Sequence, residues 1–383
     1  MSEIKVNSIK GVGASAAAIT VNNTDGTCTA NITNNLSNRR LTINGDMRIA
    51  QRGVLNASGN YTADRFIVSY SGTDEAPTLE QVDVSSGTTP YTLGFRKSSK
   101  ITNGNQTSGA GTNDTIAIST KLESQDIANS GWNYLSSSSF ITLSFWVKSS
   151  VAQEFHGFLL TGDGTRKLYS FSLGSLSANT WTKITKTIAG DSNLQFDNDN
   201  GEGLNIRIAM FRGTDKTGTL TQNQWATFDS DLRYPNYTST WYTTNDATFE
   251  ITGVQLEVSD HATDFEHRSF GQELALCKRY YNRFTAGGAY SRFADGQVQS
   301  TDQAEFTFQH PVTMRAAPTY GSGGTLAGWT ENSLKSISSI AINDSTVNCC
   351  VLTATTSGCT RGYAIDLLAN NDTTAYIELI SEL

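Results

Sequence analysis

The stretch Ser139–Ser150, "SFITLSFWVKSS", alternates strictly: Ile141, Leu143, Phe145 and Val147 share one face, and Phe140, Thr142, Ser144, Trp146 and Lys148 share the other. A period of two residues is that of a half-buried strand with one face on a core and one outside. "LNIRIAMFRG", residues 204–213, repeats the pattern, with Leu204, Ile206, Ile208 and Met210 against Asn205, Arg207, Ala209 and Phe211. Such alternation suits antiparallel sheets, because strands of a buried parallel sheet read as unbroken apolar runs. "WTKITKTIAG" and "KLYSFSLG" follow the same plan between Gly/Asn/Asp turns.

"TFEITGVQLEV", residues 248–258, adds a detail. Phe249 and Ile251 occupy odd positions, whereas Val254, Leu256 and Val258 occupy even ones. Keeping all five on one face requires an extra residue at the phase change, so the sequence predicts a β-bulge at Gly253. Many short strands, few helix formers and charged residues at only 17% of 383 place the chain in the all-β class. The architecture expected for residues 41–268 is an antiparallel jelly-roll sandwich.

Three further segments flank it. Residues 1–40 carry no aromatic residue and only isolated Ile, Val and Leu. They read either as a tail or as thin strands that gain burial only against copies of themselves or a partner. Ser269 and Gln272 have capping-box spacing, and Phe270, Leu274, Cys277 and Tyr281 follow at helical intervals, so a connecting helix is expected over 269–282. Residues 283–383 return to strand patterns and suit a small C-terminal β domain.

The formal net charge of -8, with no basic cluster longer than Arg39-Arg40, removes the electrostatic footprint of a nucleic-acid partner. No stretch approaches the ~20 apolar residues of a membrane span, and the leading residues lack the apolar core of a signal peptide. Synthesis in the cytoplasm without membrane insertion is expected. The five cysteines form no CxxC and no interleaved Cys/His set. Reduced, mostly buried thiols are expected, with Cys350 and Cys359 able to face each other across a hairpin.

"LTINGDMRIAQRG" (41–53) with "YTADRF", then "FITLSFWVKSS", "NTWTKITKTI", "FEITGVQLEVSDHATDFEHRSFGQELALCKRYY" and "FQHPVTMRAAPTY", in that order, resemble tail fibres and related appendages of tailed bacteriophages, particularly podoviruses of marine bacteria. The central part resembles a carbohydrate-binding-module jelly roll of the galactose-binding type. The usual "VQLEVG" is "VQLEVS" here, and "ATPFEHR" is "ATDFEHR", with Asp264. The resemblance implies a virion structural protein, a homotrimer anchored to tail or neck proteins through residues 1–40, whose outer domains meet host surface glycan. The other readings are a purely structural neck or capsid-decorating fibre and, less favoured, a glycan hydrolase.

None of the four histidines, His156, His261, His267 and His310, has nucleophile or metal spacing. A hydrolase needs only two suitably placed acids, for which Asp163, Asp191, Glu250 and Glu257 are candidates, although Glu250 and Glu257 read as solvent-facing strand residues. No enzyme activity and no cofactor are expected. The loop "GDSNLQFDNDNGEG" offers Asp197, Asp199 and Glu202 to calcium but fails the EF-hand order.

Aromatic rings edged by hydrogen-bonding groups make a carbohydrate platform. Trp146, Trp181 and Phe211 fall on strand faces opposite the main apolar phase, and Trp225, Tyr234, Tyr237, Trp241 and Tyr242 fall in a long loop region where exposure favours binding. In the motif at residues 41–53, Leu41, Ile43, Met47 and Ile49 share a strand parity, with Asn44-Gly45-Asp46 able to turn the chain or continue it between them, before "YTADRFIV" re-enters a strand. Asp64 and Arg65 are expected to form a structural pair where the anchor joins the folded domain.

Overall fold

The computed structural model describes residues 7–10, 12, 19–21, 24, 28–30, 38–53 and 61–383. It is all-β. Strands Ser8–Ile9, Ile19–Val21 and Cys28–Ala30 form a small antiparallel sheet within the one chain, with Ile9 left 54% exposed.

The centre of the molecule is a sandwich of two antiparallel sheets. One runs in the order Thr182–Ala189, Phe140–Ser149, Thr248–Glu257, Lys97–Thr102, Thr78–Asp83. The other runs Trp225–Thr227, Lys167–Leu176, Gln153–Thr161, Glu202–Arg212, Thr115–Glu123, Phe66–Ser71, Tyr61–Ala63. Ile141, Leu143, Phe145 and Val147 meet Ile116, Ile118, Leu204, Ile206 and Ile208 in one buried cluster. Full burial of each such side chain contributes ~1.5–3 kcal/mol, so the alternation that defines the strands also drives the two sheets together.

The strand Thr248–Glu257 shifts register between Thr252 and Gln255, and Gly253 has φ +67°. Phe249, Ile251, Val254 and Leu256 thereby all face the core. Val258 does not join them: the strand ends at Glu257 and Val258 is 38% exposed.

Residues 41–53 form no strand. Asn44 and Met47 are left-handed at φ 56° and 57°, which ends any alternation. The segment is a strap folded onto its own chain. Leu41 N–H donates to the Leu256 carbonyl (2.8 Å), Val254 N–H to Gly45 (2.9 Å) and Thr42 Oγ1 to Val254 (2.7 Å), while Asn44 Nδ2 bridges the Ile49 and Asp64 carbonyls. Met47 and Ile49 are buried beneath it.

The helix spans Phe270–Lys278, with the Ser269/Gln272 capping box formed in both directions. Its buried face differs from the expected stripe. Phe270 is 59% exposed and Tyr281 opens the next strand, whereas Glu273 and Cys277 face inward. The reason is a buried ion pair: Arg40 of the strap meets Glu273, and both side chains are wholly shielded. Glu273 also accepts the Asn44 N–H, so one carboxylate fastens the strap to the helix.

Residues Tyr281–Ile380 build a three-stranded and a seven-stranded antiparallel sheet around a second buried cluster that includes Phe306, Phe308, Leu352, Ile365 and Leu379. Cys277, Cys349, Cys350 and Cys359 are free thiols, so the Cys350–Cys359 pairing is not formed. Where this unit meets the sandwich, Glu123 accepts two bonds from Arg279 (both 2.7 Å) and one from the Tyr280 hydroxyl (2.5 Å). Burial raises the Glu123 pKa, but those bonds outweigh it and hold the carboxyl below its usual range.

Asp64 and Arg65 do not pair with each other. They form the tight turn between Tyr61–Ala63 and Phe66–Ser71, with Arg65 at φ 72°, and so diverge. Asp64 accepts from Gln51 N–H (3.0 Å) and Nε2 (2.6 Å). Arg65 instead reaches Glu382 and lies 3.5 Å from the Tyr280 ring. No helix among the described residues is long and apolar enough to cross a membrane.

Candidate glycan-binding surface

The loop aromatics are mostly structural. Trp241, Tyr242 and Tyr234 are 0%, 1% and 2% exposed. Trp241 donates its indole N–H to the Thr248 carbonyl (3.1 Å), and Tyr242 hydrogen-bonds Asp114 (3.0 Å) while stacking on Phe211 at 4.1 Å. Phe211 is in the core because the register slips between Ala209 and Phe211, turning it to the side of Met210. Tyr234 packs with Phe158, Leu160 and Leu168 on the outer face of the seven-stranded sheet, with Leu220, Phe228 and Tyr237 beside them. This loop is therefore a third layer covering that sheet. "EFHGFLLTG" carried the signal, since both parities of that strand are apolar and both faces must be covered.

Trp225 and Tyr237 are half-buried and pinned. Trp225 donates to the Ala189 carbonyl (2.9 Å), and the Tyr237 hydroxyl bridges the Arg212 N–H (2.7 Å) and carbonyl (3.2 Å). His156 lies under the same layer, 4.9 Å from the Tyr237 ring, with its pKa lowered by burial.

Trp146 and Trp181 differ. Both are half-buried on the outer face of the five-stranded sheet, where Trp146 pairs across with Lys183 on one side and Thr252 on the other. Thr182 pairs with Val147, so Trp181 stands beside Lys148, diagonal to Trp146 and about 7–8 Å away backbone to backbone. A ladder of charges crosses the sheet to this point. Glu80 meets Lys100 (3.1 Å), Lys100 stands opposite Glu250, Glu250 meets Lys148 (2.7 Å), and the Lys148 ammonium lies 5.2 Å over the Trp181 ring. Ser98 Oγ also donates to Glu250 (3.0 Å). Lys183 is exposed and, among the described residues, makes no ion pair.

The indole N–H groups separate the six tryptophans by role. Trp132, Trp225 and Trp241 each donate to a backbone carbonyl (3.2, 2.9 and 3.1 Å). Trp181 Nε1 is buried without an acceptor, and among the described residues Trp146 and Trp329 donate to none. A tied indole serves the fold. Trp146 and Trp329 each offer an apolar face and an unused N–H to something outside, whereas Trp181, with its N–H buried, offers ring surface alone.

The carboxylates are occupied. Glu257 and Glu250 are 1% and 8% exposed, not solvent-facing: residues 259–266 fold back at the Glu257 end, anchored by Glu257 through Thr263 N–H (2.9 Å) and Oγ1 (2.6 Å), and Glu250 is held by Lys148 and Ser98. Asp163 accepts from Ser124 and from Asp197 N–H, and Asp191 from Asn193, whose bonds lower the Asp191 pKa. Asp199 closes a turn on Gly201 N–H (2.9 Å), Asp197 accepts from Gln195 (3.0 Å), and Glu202 pairs with Lys121 (2.7 Å). Among the described residues no group of three or more His, Cys, Asp or Glu converges as a metal site.

A cleft of about 1350 Å³ lies between the strap, the helix and residues 264–268. Its four arginines each meet a carboxylate, Arg268 that of Glu266 in the cleft wall (3.6 Å) and the others carboxylates behind it: Arg39 Glu257 (3.6 Å), Arg40 Glu273 and Arg279 Glu123 (2.7 Å). It locks segments together and offers no unpaired cation.

No family model and no curated protein matches this chain. Solved structures do resemble parts of it. The enzymatically active domain of bacteriophage CBA120 tailspike protein 4 matches at 11% identity and TM-score 0.32, over 57% of this chain and 21% of that one, so the match spans about a fifth of that domain. A family 11 carbohydrate-binding module from Clostridium thermocellum, in complex with a mixed-linked tetrasaccharide, matches at 12% identity and TM-score 0.26, over 56% of this chain and 97% of that one. Discoidin II from Dictyostelium discoideum matches at 10% identity and TM-score 0.16, over 70% and 78%.

Proposed function

We propose that this protein binds glycan through the Trp146–Trp181 surface and makes or breaks no bond in doing so. The observation that carries this is the pair of half-buried indole rings on the outer face of the five-stranded sheet, diagonal across two strands, beside the exposed ammonium of Lys183. A sugar ring stacks its apolar face on an indole while its hydroxyls take hydrogen bonds at the edge. The positions of Lys148 and Trp181 are set by the charge ladder, so the surface is pre-organised.

The biological setting is that of a bacteriophage tail-fibre subunit, a homotrimer in the virion, attaching to the host surface. Support comes from the ordered set of motifs spanning residues 41–320 and from a leading segment whose short strands leave Ile9 exposed. The purely structural reading draws on the burial of Trp241, Tyr242 and Tyr234, which leaves fewer aromatics for a ligand than the sequence suggests.

Host-cell adsorption by purified protein decides between them. Trp146→Ala with Trp181→Ala weakens adsorption while the unfolding transition and assembly state stay as in the wild type. Adsorption that survives both substitutions refutes the site. Release of reducing ends from host polysaccharide refutes the non-enzymatic assignment.

A further inference from the structure

A second outward indole sits on a different sheet. In the seven-stranded sheet of the C-terminal unit, Leu334 pairs with Trp329, Trp329 with Asp366, and Asp366 with Asp295, a row across four adjacent strands. Alternation fixes their direction. Ile365 and Leu367 flank Asp366 in sequence and are in the core, so Asp366 and its cross-strand partners face out. Leu334 is 41% exposed, Trp329 is half-buried with its N–H unused, and Asp295 is exposed and unpaired among the described residues. Asp366 is met by Arg292.

The geometry points to a second saccharide site along this row, for a neutral sugar chain. The Trp329 ring with Leu334 beside it makes an apolar floor, and the Asp366 and Asp295 carboxylates at its edge accept hydroxyl hydrogens. Two carboxylates against one guanidinium leave the row acidic, which disfavours an anionic glycan. The same charge disfavours a second copy of this chain, whose net charge is -8. The row thus differs from the Trp146–Trp181 surface, where Lys183 is the unpaired charge. It does not rest on that earlier assignment.

The test is calorimetric titration of the full chain with cellohexaose, a neutral probe, and with oligogalacturonate, an anionic one. The Trp146→Ala/Trp181→Ala protein retains cellohexaose binding but not oligogalacturonate binding, and adding Trp329→Ala weakens the retained binding by roughly tenfold, the loss of about one stacking contact. Asp295→Ala weakens it several-fold. The site is overturned if Trp329→Ala leaves the retained binding unchanged, if the Trp146→Ala/Trp181→Ala protein binds no cellohexaose, or if Trp329→Ala changes the sedimentation coefficient, which marks a contact between copies. Should Trp146→Ala/Trp181→Ala leave all binding intact while Trp329→Ala abolishes it, the row stands and the earlier assignment falls.

Discussion

Replacing Gly253 with alanine tests whether the bulge both builds the sandwich and seats its candidate ligand surface. Two costs add. The backbone there has φ +67°, where a Cβ costs about 1–2 kcal/mol. The added methyl would also lie 2.7 Å and 3.0 Å from the Phe95 ring and 3.3 Å from Trp146 Cδ1. Phe95 is 2% exposed and packed against Phe265 at 4.9 Å, so it cannot swing clear, and such overpacking costs about 1–3 kcal/mol. The sum, about 2–5 kcal/mol, is a large part of a typical net stability of ~5–15 kcal/mol. In urea it shifts the sandwich's midpoint by about 1–2 M. A double-mutant cycle separates the parts: Phe95→Ala relieves the clash but not the dihedral cost, so the pair couples by about 1–3 kcal/mol. Trp146 is displaced as well, so glycan affinity falls under conditions where Gly253→Ala is still folded. Additivity of the two substitutions within ~0.5 kcal/mol, or an unshifted urea midpoint, would refute the reasoning.

Glu273→Ala strands the Arg40 guanidinium in a dry site and lowers stability by about 3–5 kcal/mol in urea unfolding, whereas Arg40→Met with Glu273→Leu is far milder. The Glu123 carboxyl lies below its ordinary 4.5 in the folded chain, so its contribution is present above pH 4.5 and is lost as pH falls below it; Glu123→Gln flattens that limb of a stability-versus-pH curve. His156 behaves as a buried neutral base whose pKa is lowered from 6.5, so stability drops as pH falls through 6.5, and His156→Gln removes that part of the slope. Cys277 is wholly buried with its thiol pushed up, so alkylation of the native chain labels half-buried Cys349 before Cys277, which reacts only on unfolding, as read by mass spectrometry.

The strands were legible wherever alternation was strict, because burial of one face leaves a mark at every second residue. The bulge at Gly253 was legible for the same reason, as a break in phase. Phe211 was not, since the slip beside Met210 leaves no such break: an apolar residue stands on either parity. The loop aromatics misled because exposure was inferred from sequence position, while "FHGFLLT" already required a cover for its second face. The helix was located by its cap, but its buried face was misjudged, because an ion pair to a residue 233 positions away leaves no periodic trace. Of the surface argued here, Trp146, Trp181 and Lys183 were visible from parity alone. Trp329 was passed over because "GTLAGWTENS" holds too few alternating residues to assign a face.

The strap, with the residues that lead into it from residue 38, also determines how the chain bears load. Tension applied upstream of residue 38 enters the folded body at Arg40, Leu41 and Gly45, whose bonds run to the helix and to the arm of the bulged strand that follows Gly253. That strand pairs with Phe140–Ser149 along both arms and with Lys97–Thr102 at residues 248–251, so a pull on its Val254–Leu256 arm passes along the strand to both neighbours. Pulled from upstream of residue 38, the chain is therefore held on an interior strand of its sandwich, where strands must slide past one another together to yield.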